Sequence, residues 1–272
     1  MNNICTNITL ASGQRMWAIS LRHLRQMRKD VSKLINVFYW PFLDVMLWGF
    51  TAQWVQSGCT NDPHFTITML TAVVAWQLFV RTNLDVSTNL LEDIQDSNVV
   101  NLFASPLALH EWVGGILILT ALNTLALLSF CSVVVWLLYQ ANVMAIGIRV
   151  IPFIFNLLMT GLSVGFLGAS LLISYGKRML GIIYMLGWFF SPFSGAFFPI
   201  VTLPFVLRIF AQMLPISYTI EGIRTLSKTG VFSLSLWFTS FLLSILFITV
   251  SFSFFIFMFM QSKRKGLQRL AD

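Results

Sequence analysis

Residues 231 to 260 run for thirty positions without one charged side chain, and a soluble domain has no way to bury such a segment on every side. A helix crosses the roughly 30 Å of bilayer hydrocarbon with about 20 apolar residues. Six segments reach or approach that length: Leu34–Gln56, Phe65–Val80, Trp112–Leu138, Val150–Ser174, Met179–Ile200 and Val231–Met260. The second is the shortest and borrows Arg81 to Leu84 at its inner end, the arginine snorkelling toward the headgroups. With 57% hydrophobic residues, 10% charged residues, 26 phenylalanines and a mean hydropathy of +0.80, the chain carries more apolar surface than a soluble fold of its length can hide. The sequence predicts an all-α integral membrane protein with six transmembrane helices.

The chain opens polar, as MNNICTNITLASGQ, and its first apolar run begins only at Leu34 behind basic residues, so no cleavable signal is expected. Placing both termini inside collects Arg15, Arg22, Arg25, Arg28, Lys29, Lys33, Arg81, Lys177, Arg178, Lys263, Arg264, Lys265 and Arg269 on the inner side. Arg149, Arg208, Arg224 and Lys228 remain outside, so thirteen of the 17 basic residues obey the positive-inside rule. The formal net charge of +7 then reads as topology and contact with membrane lipids, not as a nucleic-acid patch, because the basic residues sit beside spans. Cys5, Cys59 and Cys131 fall in different compartments, and His23, His64 and His110 are scattered, so neither a disulfide nor a metal site is expected. The chain divides into an N-terminal segment, 1–33, a six-span domain, 34–260, and a basic tail, 261–272.

Trp17, Leu21, Leu24, Met27, Val31 and Leu34 recur at helical spacing, with Arg15, Arg22, Arg25, Lys29 and Lys33 mostly elsewhere on the wheel. That pattern predicts an amphipathic helix in the inner headgroup plane, either a topogenic anchor or a mechanical element at the membrane edge. In the first span Pro41 frees a backbone carbonyl and is expected to bend the helix. Asp44 is the one carboxylate placed well inside an expected span. Burying it costs several kcal/mol unless it faces protein or water, so it should point into the bundle, either tying two helices together or handling substrate.

Leu90 to Gly115 interrupts the apolar pattern with LLEDIQDSNVVNLFASPLALHEWVGG. Glu92, Asp93 and Asp96 share one helical face, and Ser105-Pro106 stops the helix, because the residue before proline avoids the α region. The acidic face is either a solvated cap on the bundle or a dock for another protein. Gly161, Gly165, Gly168 and Ala169 form a small-residue stripe that lets another helix approach closely. Further on, Pro192, Pro199, Pro204 and Pro215 interrupt an apolar sequence. They predict short helical pieces that dip into the outer leaflet and return. Glu221 and Arg224, three apart, are spaced to pair on one face, as a structural ion pair or as a gate.

Two of these stretches, LLEDIQDSNVVNLFASPLALHEWVGGILI and SPFSGAFFPIVTLPFVLRIFAQMLPISYTIEGIRTL, together with YWPFLDVMLWGF in the first span, resemble the membrane subunits of type-2 ABC exporters. The first is similar to that family's coupling-helix region, and the second to its Pro-x-Ser-Gly-x-x-Tyr-Pro stretch ending in Glu-Gly-x-Arg. Phe198 departs from the pattern by standing where tyrosine is usual. The resemblance implies a coupling helix over about 87–105, with Glu92, Asp93, Asp96, Asn98 and Asn101 meeting an ATPase subunit. It also implies a re-entrant segment over about 191–229 with an outer gate at Pro199, Glu221 and Arg224, and a translocation path past Asp44 and Trp48. The implied assembly is a homodimer with separate ATP-binding cassette subunits that bind ATP and Mg, in the cytoplasmic (inner) membrane with both termini in the cytoplasm. No G-x-x-x-x-G-K-[ST] sequence occurs here, so this chain is expected to be a permease without cofactor or ATPase site of its own. A secondary carrier, a channel or an assembly factor is the competing class; a carrier is expected to show paired intramembrane charges and an internal repeat, and the sequence reading finds neither.

Overall fold

The computed structural model describes residues 2–58, 62–95 and 109–265. These are almost all helical, with no strand among the described residues. Helix α1 (Asn2–Lys29) passes to α2 (Val31–Gly58) with only Asp30 between them. Bonds from Asp30 N to Gln26 O and from Leu34 N to Asp30 O, both 3.2 Å, carry the helical ladder across the joint. Pro41 lies inside α2 without ending it. Ending the helix there would orphan several backbone groups, whereas the proline frees one carbonyl.

Helix α3 (Phe65–Gln95) corrects the expected second span, which was to end at Val80. Nothing between Val80 and Gln95 breaks a helix; Asp85, Ser87 and Asp93 find partners on neighbouring helices, while Thr82, Thr88 and Asn89 bond back to carbonyls of α3 itself. The start of the expected coupling helix, from residue 87, therefore belongs to α3, while residues 96–108 lie outside the described residues. Helix α4 (Leu109–Tyr139) and a short 3₁₀ segment (Val143–Val150) lead into α5 (Ile151–Tyr175).

The expected fifth span, Met179–Ile200, is not one helix. Helix α6 (Leu180–Phe189) is ten residues long and gives way to 3₁₀ turns at Ser191–Phe193 and Ile200–Thr202. Helices α7 (Phe205–Gln212), α8 (Pro215–Thr229) and α9 (Leu234–Lys265) complete the chain. The four prolines stand where short pieces begin: Pro192 and Pro215 occupy the first turn of a piece, and Pro199 and Pro204 cap the next. A missing N–H does no harm there, and a fixed φ suits the start of a helix.

Among the described residues four helices are long and apolar enough to cross a membrane: Phe65–Asp93, Leu109–Tyr139, Ile146–Tyr175 and Leu234–Arg264. This is an all-α multi-pass membrane architecture. The central one is α3, whose most apolar stretch is 78% buried within the chain, against 17% for α9. The sequence explains the difference. α9 is apolar on all sides, as a lipid-facing helix must be, whereas α3 carries Thr71, Gln77, Thr82, Asn83, Asp85, Ser87 and Asn89, all buried, and needs protein partners for each.

Close approach makes those partners reachable. A Cβ on Gly165 would stand 2.9 Å from the backbone oxygen of Asn83, and one on Gly161 2.7 Å from Thr82 Cβ, so the small-residue stripe of α5 is where α3 seats. Ser87 uses that proximity to donate to Gly165 O at 3.0 Å. Trp112, Phe166, Phe255 and Ile19 fill the core at the α1 end of the bundle, and Trp76, Phe79, Phe153 and Ile220 fill the other.

Candidate functional site

Charged side chains gather at the α1 end, where α1 lies against the lower part of α3 and the first turn of α4. Arg22 forms an ion pair with Asp93, whose other oxygen accepts from Trp112 Nε1 at 2.8 Å. Asp93 is 3% exposed, so both of its oxygens are spent inside the chain. His23, one residue on, is buried with Nδ1 3.7 Å from Glu92 and Nε2 3.7 Å from Asp93. Two turns towards the N-terminus Arg15 pairs with Glu111 at 3.3 Å. Ser20 donates to Gly115 O at 2.6 Å, and a Cβ at Gly115 would stand 2.8 Å from Ile19. Two adjacent glycines, Gly114 and Gly115, are thus what lets α1 lie flat on α4. Helix α1 carries a groove of about 430 Å³ lined by Ala18, Leu21, Arg22, Arg25, Gln26 and Lys29.

Further along α3 the polar residues continue at four-residue spacing: Gln77, Arg81, Asp85, Asn89, Asp93. Side chains four apart share a helix face, and here the face is turned to α2, α4 and α1 in succession. Gln77 donates to Asp44 of α2, which gives the first-span carboxylate the inward partner expected of it. Arg81 Nη2 stands 2.8 Å from Asp85, and Asn123 of α4 donates to Asp85 at 3.0 Å. Asp85 is fully buried and lies within a candidate span. The sequence reading missed this pair because it ended the span at Val80. The four-residue ladder was the signal that could have found it.

The chain matches no family model, and no curated protein is significantly similar to it. Its sites rest on geometry alone.

At the opposite end the broken segment between α6 and α8 packs on α2 and α3 through aromatic rings. Trp48 meets Phe197 at 4.6 Å between centroids, and Trp76 meets Phe79, Phe197 and Trp188 at 5.3, 5.9 and 6.0 Å. Trp48 and Asp44 are one turn apart on α2, so the two expected path residues do share a face of that helix. Arg224 is buried and donates to Ala196 O at 3.0 Å. It makes no ion pair with Glu221 among the described residues, which corrects the expected pairing. The proline-broken segment leaves carbonyls without helical partners, and the guanidinium satisfies one of them. Pro199 stays at the cap of its 3₁₀ turn, three residues past that carbonyl. Exchanging the charges, Glu221→Arg with Arg224→Glu, should therefore give no recovery over Arg224→Gln alone in thermal stability or assembly. Recovery in the exchanged variant would restore the paired arrangement.

Lys228 of α8 meets Asp62 at 2.6 Å, and that lysine, with the backbone N–H of His64, holds the Asp62 carboxyl below its ordinary range. Of the expected coupling residues, Asp93 is turned inward and Glu92 keeps 17% of its side chain exposed; Asp96, Asn98 and Asn101 lie outside the described residues. Arg22, His23, Trp112, Arg81, Asp85 and Asn123 are the residues that the structure adds.

Proposed function

We propose that the chain is the permease subunit of an ATP-driven exporter of the type-2 ABC class, moving an amphipathic or lipid-linked substrate outward by alternating access. The observation that carries this reading is the length and bracing of α3. Its 31 residues extend about 46 Å at 1.5 Å each, beyond the roughly 30 Å of hydrocarbon, and the projecting end is clamped by α1 and α4 through Arg22, Asp93 and Trp112. A stiff rod held at its foot passes a push into the bundle, and the acidic segment that follows, with Asp96, Asn98 and Asn101, is where a soluble motor would apply it. In this scheme α2 and the segment from α6 to α8 complete six spans, with α7, α8 and the turns between α6 and α7 forming the re-entrant part. Both termini face the cytoplasm and the subunit works as a homodimer in the inner membrane. Separate ATPase subunits bind ATP and Mg, and ATP drives the cycle because it binds the two conformations unequally. The aromatic cluster around Trp48 and Trp76 suits an apolar cargo, and the basic groove on α1 suits anionic headgroups.

The test is to purify the tagged full-length chain from its native membrane and ask whether an ATP-binding cassette protein accompanies it. Introducing lysine at both Asp96 and Asn101 should then lower association and stimulated ATP hydrolysis on the order of tenfold or more, since like or unpaired charges at an interface cost several kcal/mol, while membrane insertion is kept. Normal association and normal hydrolysis in that variant would remove the coupling role.

One observation favours a second reading, a carrier not driven by ATP: Arg81 and Asp85 are the paired intramembrane charges that such a protein requires. Absence of any ATPase from the purified complex, with ion-coupled uptake in vesicles lost in Asp85→Asn, would select it.

A further inference from the structure

The residues that line the groove on α1, Ala18, Leu21, Arg22, Arg25, Gln26 and Lys29, stand three or four apart, so they form one stripe of that helix. Three of them are cations, spaced by three and by four with no carboxylate between them on the stripe. Like charges at such spacings destabilise a helix. Arg22 is answered by Asp93 of α3. Arg25 and Lys29 are exposed and form no ion pair among the described residues. The groove therefore presents two positive charges that the fold itself leaves uncompensated, beside an apolar end at Ala18 and Leu21.

Its position selects what compensates them. Lys29 is the last residue of α1, and the helical bonds across Asp30 lead directly into α2, where Val31, Ile35, Tyr39 and Trp40 are exposed. Large apolar side chains on the outside of a multi-pass membrane protein meet acyl chains, and Tyr and Trp gather at headgroup level. The groove thus ends where the lipid-facing surface begins. An anionic lipid in the leaflet around α2 brings its headgroup to Arg25 and Lys29 without leaving the membrane.

We propose that Arg25 and Lys29 hold the headgroup of an anionic phospholipid from the surrounding leaflet. Arg25 offers a planar fork that can take two phosphate oxygens, and Lys29 a compact point charge. Arg22 borders the site and stays with Asp93. The occupant is a resident lipid and not the transported cargo, and the site rests on the membrane architecture alone, so it stands for an exporter subunit and for a carrier alike. A ligand that binds the folded chain also stabilises it, and this one does so on the helix that Arg22 ties to the foot of α3.

The experiment uses the full chain purified in detergent and titrated with phosphatidylglycerol, with phosphatidylcholine or with inorganic phosphate. Retained lipid is read by native mass spectrometry, and stability by the melting temperature. Phosphatidylglycerol should bind on the order of tenfold or more tighter than phosphatidylcholine and raise the melting temperature, because each basic side chain at an anionic membrane surface contributes a factor of about five. Arg25→Gln with Lys29→Gln should abolish that preference. Lys263→Gln with Arg264→Gln, exposed cations at the end of α9, should keep it, and inorganic phosphate should leave the melting temperature unchanged. Equal binding of the two phospholipids overturns the site and leaves the stripe to a soluble acidic partner. A preference that survives Arg25→Gln with Lys29→Gln, or that is lost equally in the α9 variant, overturns it too, the second by showing diffuse surface charge. A rise in melting temperature with phosphate alone would make the ligand a free anion and overturn the lipid assignment. A second measurement needs no variant: between about 0.1 M and 1 M salt the screening length falls from about 10 Å to about 3 Å, and the preference of the unsubstituted protein should disappear. Its persistence at the higher salt overturns the proposal.

Discussion

Replacing Asp85 by leucine is expected to cost about 3–5 kcal/mol of folding stability, the range seen when one partner of a buried ion pair is removed. The carboxylate is fully buried, and the Arg81 side chain is 20% exposed. Its loss leaves the guanidinium and the Asn123 amide without an acceptor in the centre of the bundle. The cost is that of the orphaned groups, so removing both charges should return most of it. Arg81→Met with Asp85→Leu replaces the pair by apolar side chains, a change that is often neutral or stabilising. Detergent-denaturation curves of the two single variants and the double variant form the cycle that measures this coupling. A loss below about 1 kcal/mol in Asp85→Leu, the scale of exposed pairs, would mean that water reaches the pair. The same double variant divides the two functional readings. Restored stability with retained ATP-driven transport makes the pair structural, whereas restored stability with lost transport makes it part of the path.

That pair also marks where sequence and structure part company. Helices α4, α5 and α9 were legible within a few residues, because each is nearly uniformly apolar and lipid-facing or core-facing positions alike demand hydrophobic side chains. The break between α6 and α8 was legible for a backbone reason: Pro192, Pro199, Pro204 and Pro215 fall within 24 positions and rule out one continuous helix. α3 was misread because a helix surrounded by protein is free to spend half its surface on polar contacts, so apolar run length stops measuring it at Arg81. Asp44 could be assigned an inward direction from its cost alone, but Gln77 as its partner could not, since nothing in α2 specifies the face of α3. Glu221 and Arg224 show the converse limit. A three-residue spacing permits pairing, yet the carbonyl of Ala196, freed by the broken segment and 28 positions away, is the acceptor that the guanidinium reaches. Asp93 was placed on an outward acidic face by its spacing to Asp96, and it is instead held inward by Arg22 and Trp112, from two other helices.

Gly165→Leu is expected to prevent α3 and α5 from seating and to leave no monodisperse protein. The atoms in the way are not side-chain tips that can swing aside. A Cβ there would stand 2.9 Å from Asn83 O, which is backbone, and 2.9 Å from Val86 Cβ; at Gly161 the neighbours are Thr82 Cβ at 2.7 Å and Phe79 O at 3.0 Å. The whole of α3 would have to move outward, drawing Ser87 off Gly165 O and parting the interior that holds Arg81 and Asp85. Gly161→Ala and Gly165→Ala should each cost about 1–3 kcal/mol, the usual range for overpacking, and leucine more. Gly181→Ala is the control, since a Cβ there meets nothing within 4 Å. Size-exclusion profiles and melting temperatures of the four variants in one detergent make the comparison. Because small residues at helix contacts stabilise membrane proteins through closeness and not through hydrophobicity, the loss should follow the added volume at Gly161 and Gly165 and be absent at Gly181. A Gly165→Leu protein that elutes as the parent does, with an unchanged melting temperature, would show that α3 does not lie in the groove of α5. The central position of α3, and with it the buried placement of Asp85, would then have to be withdrawn.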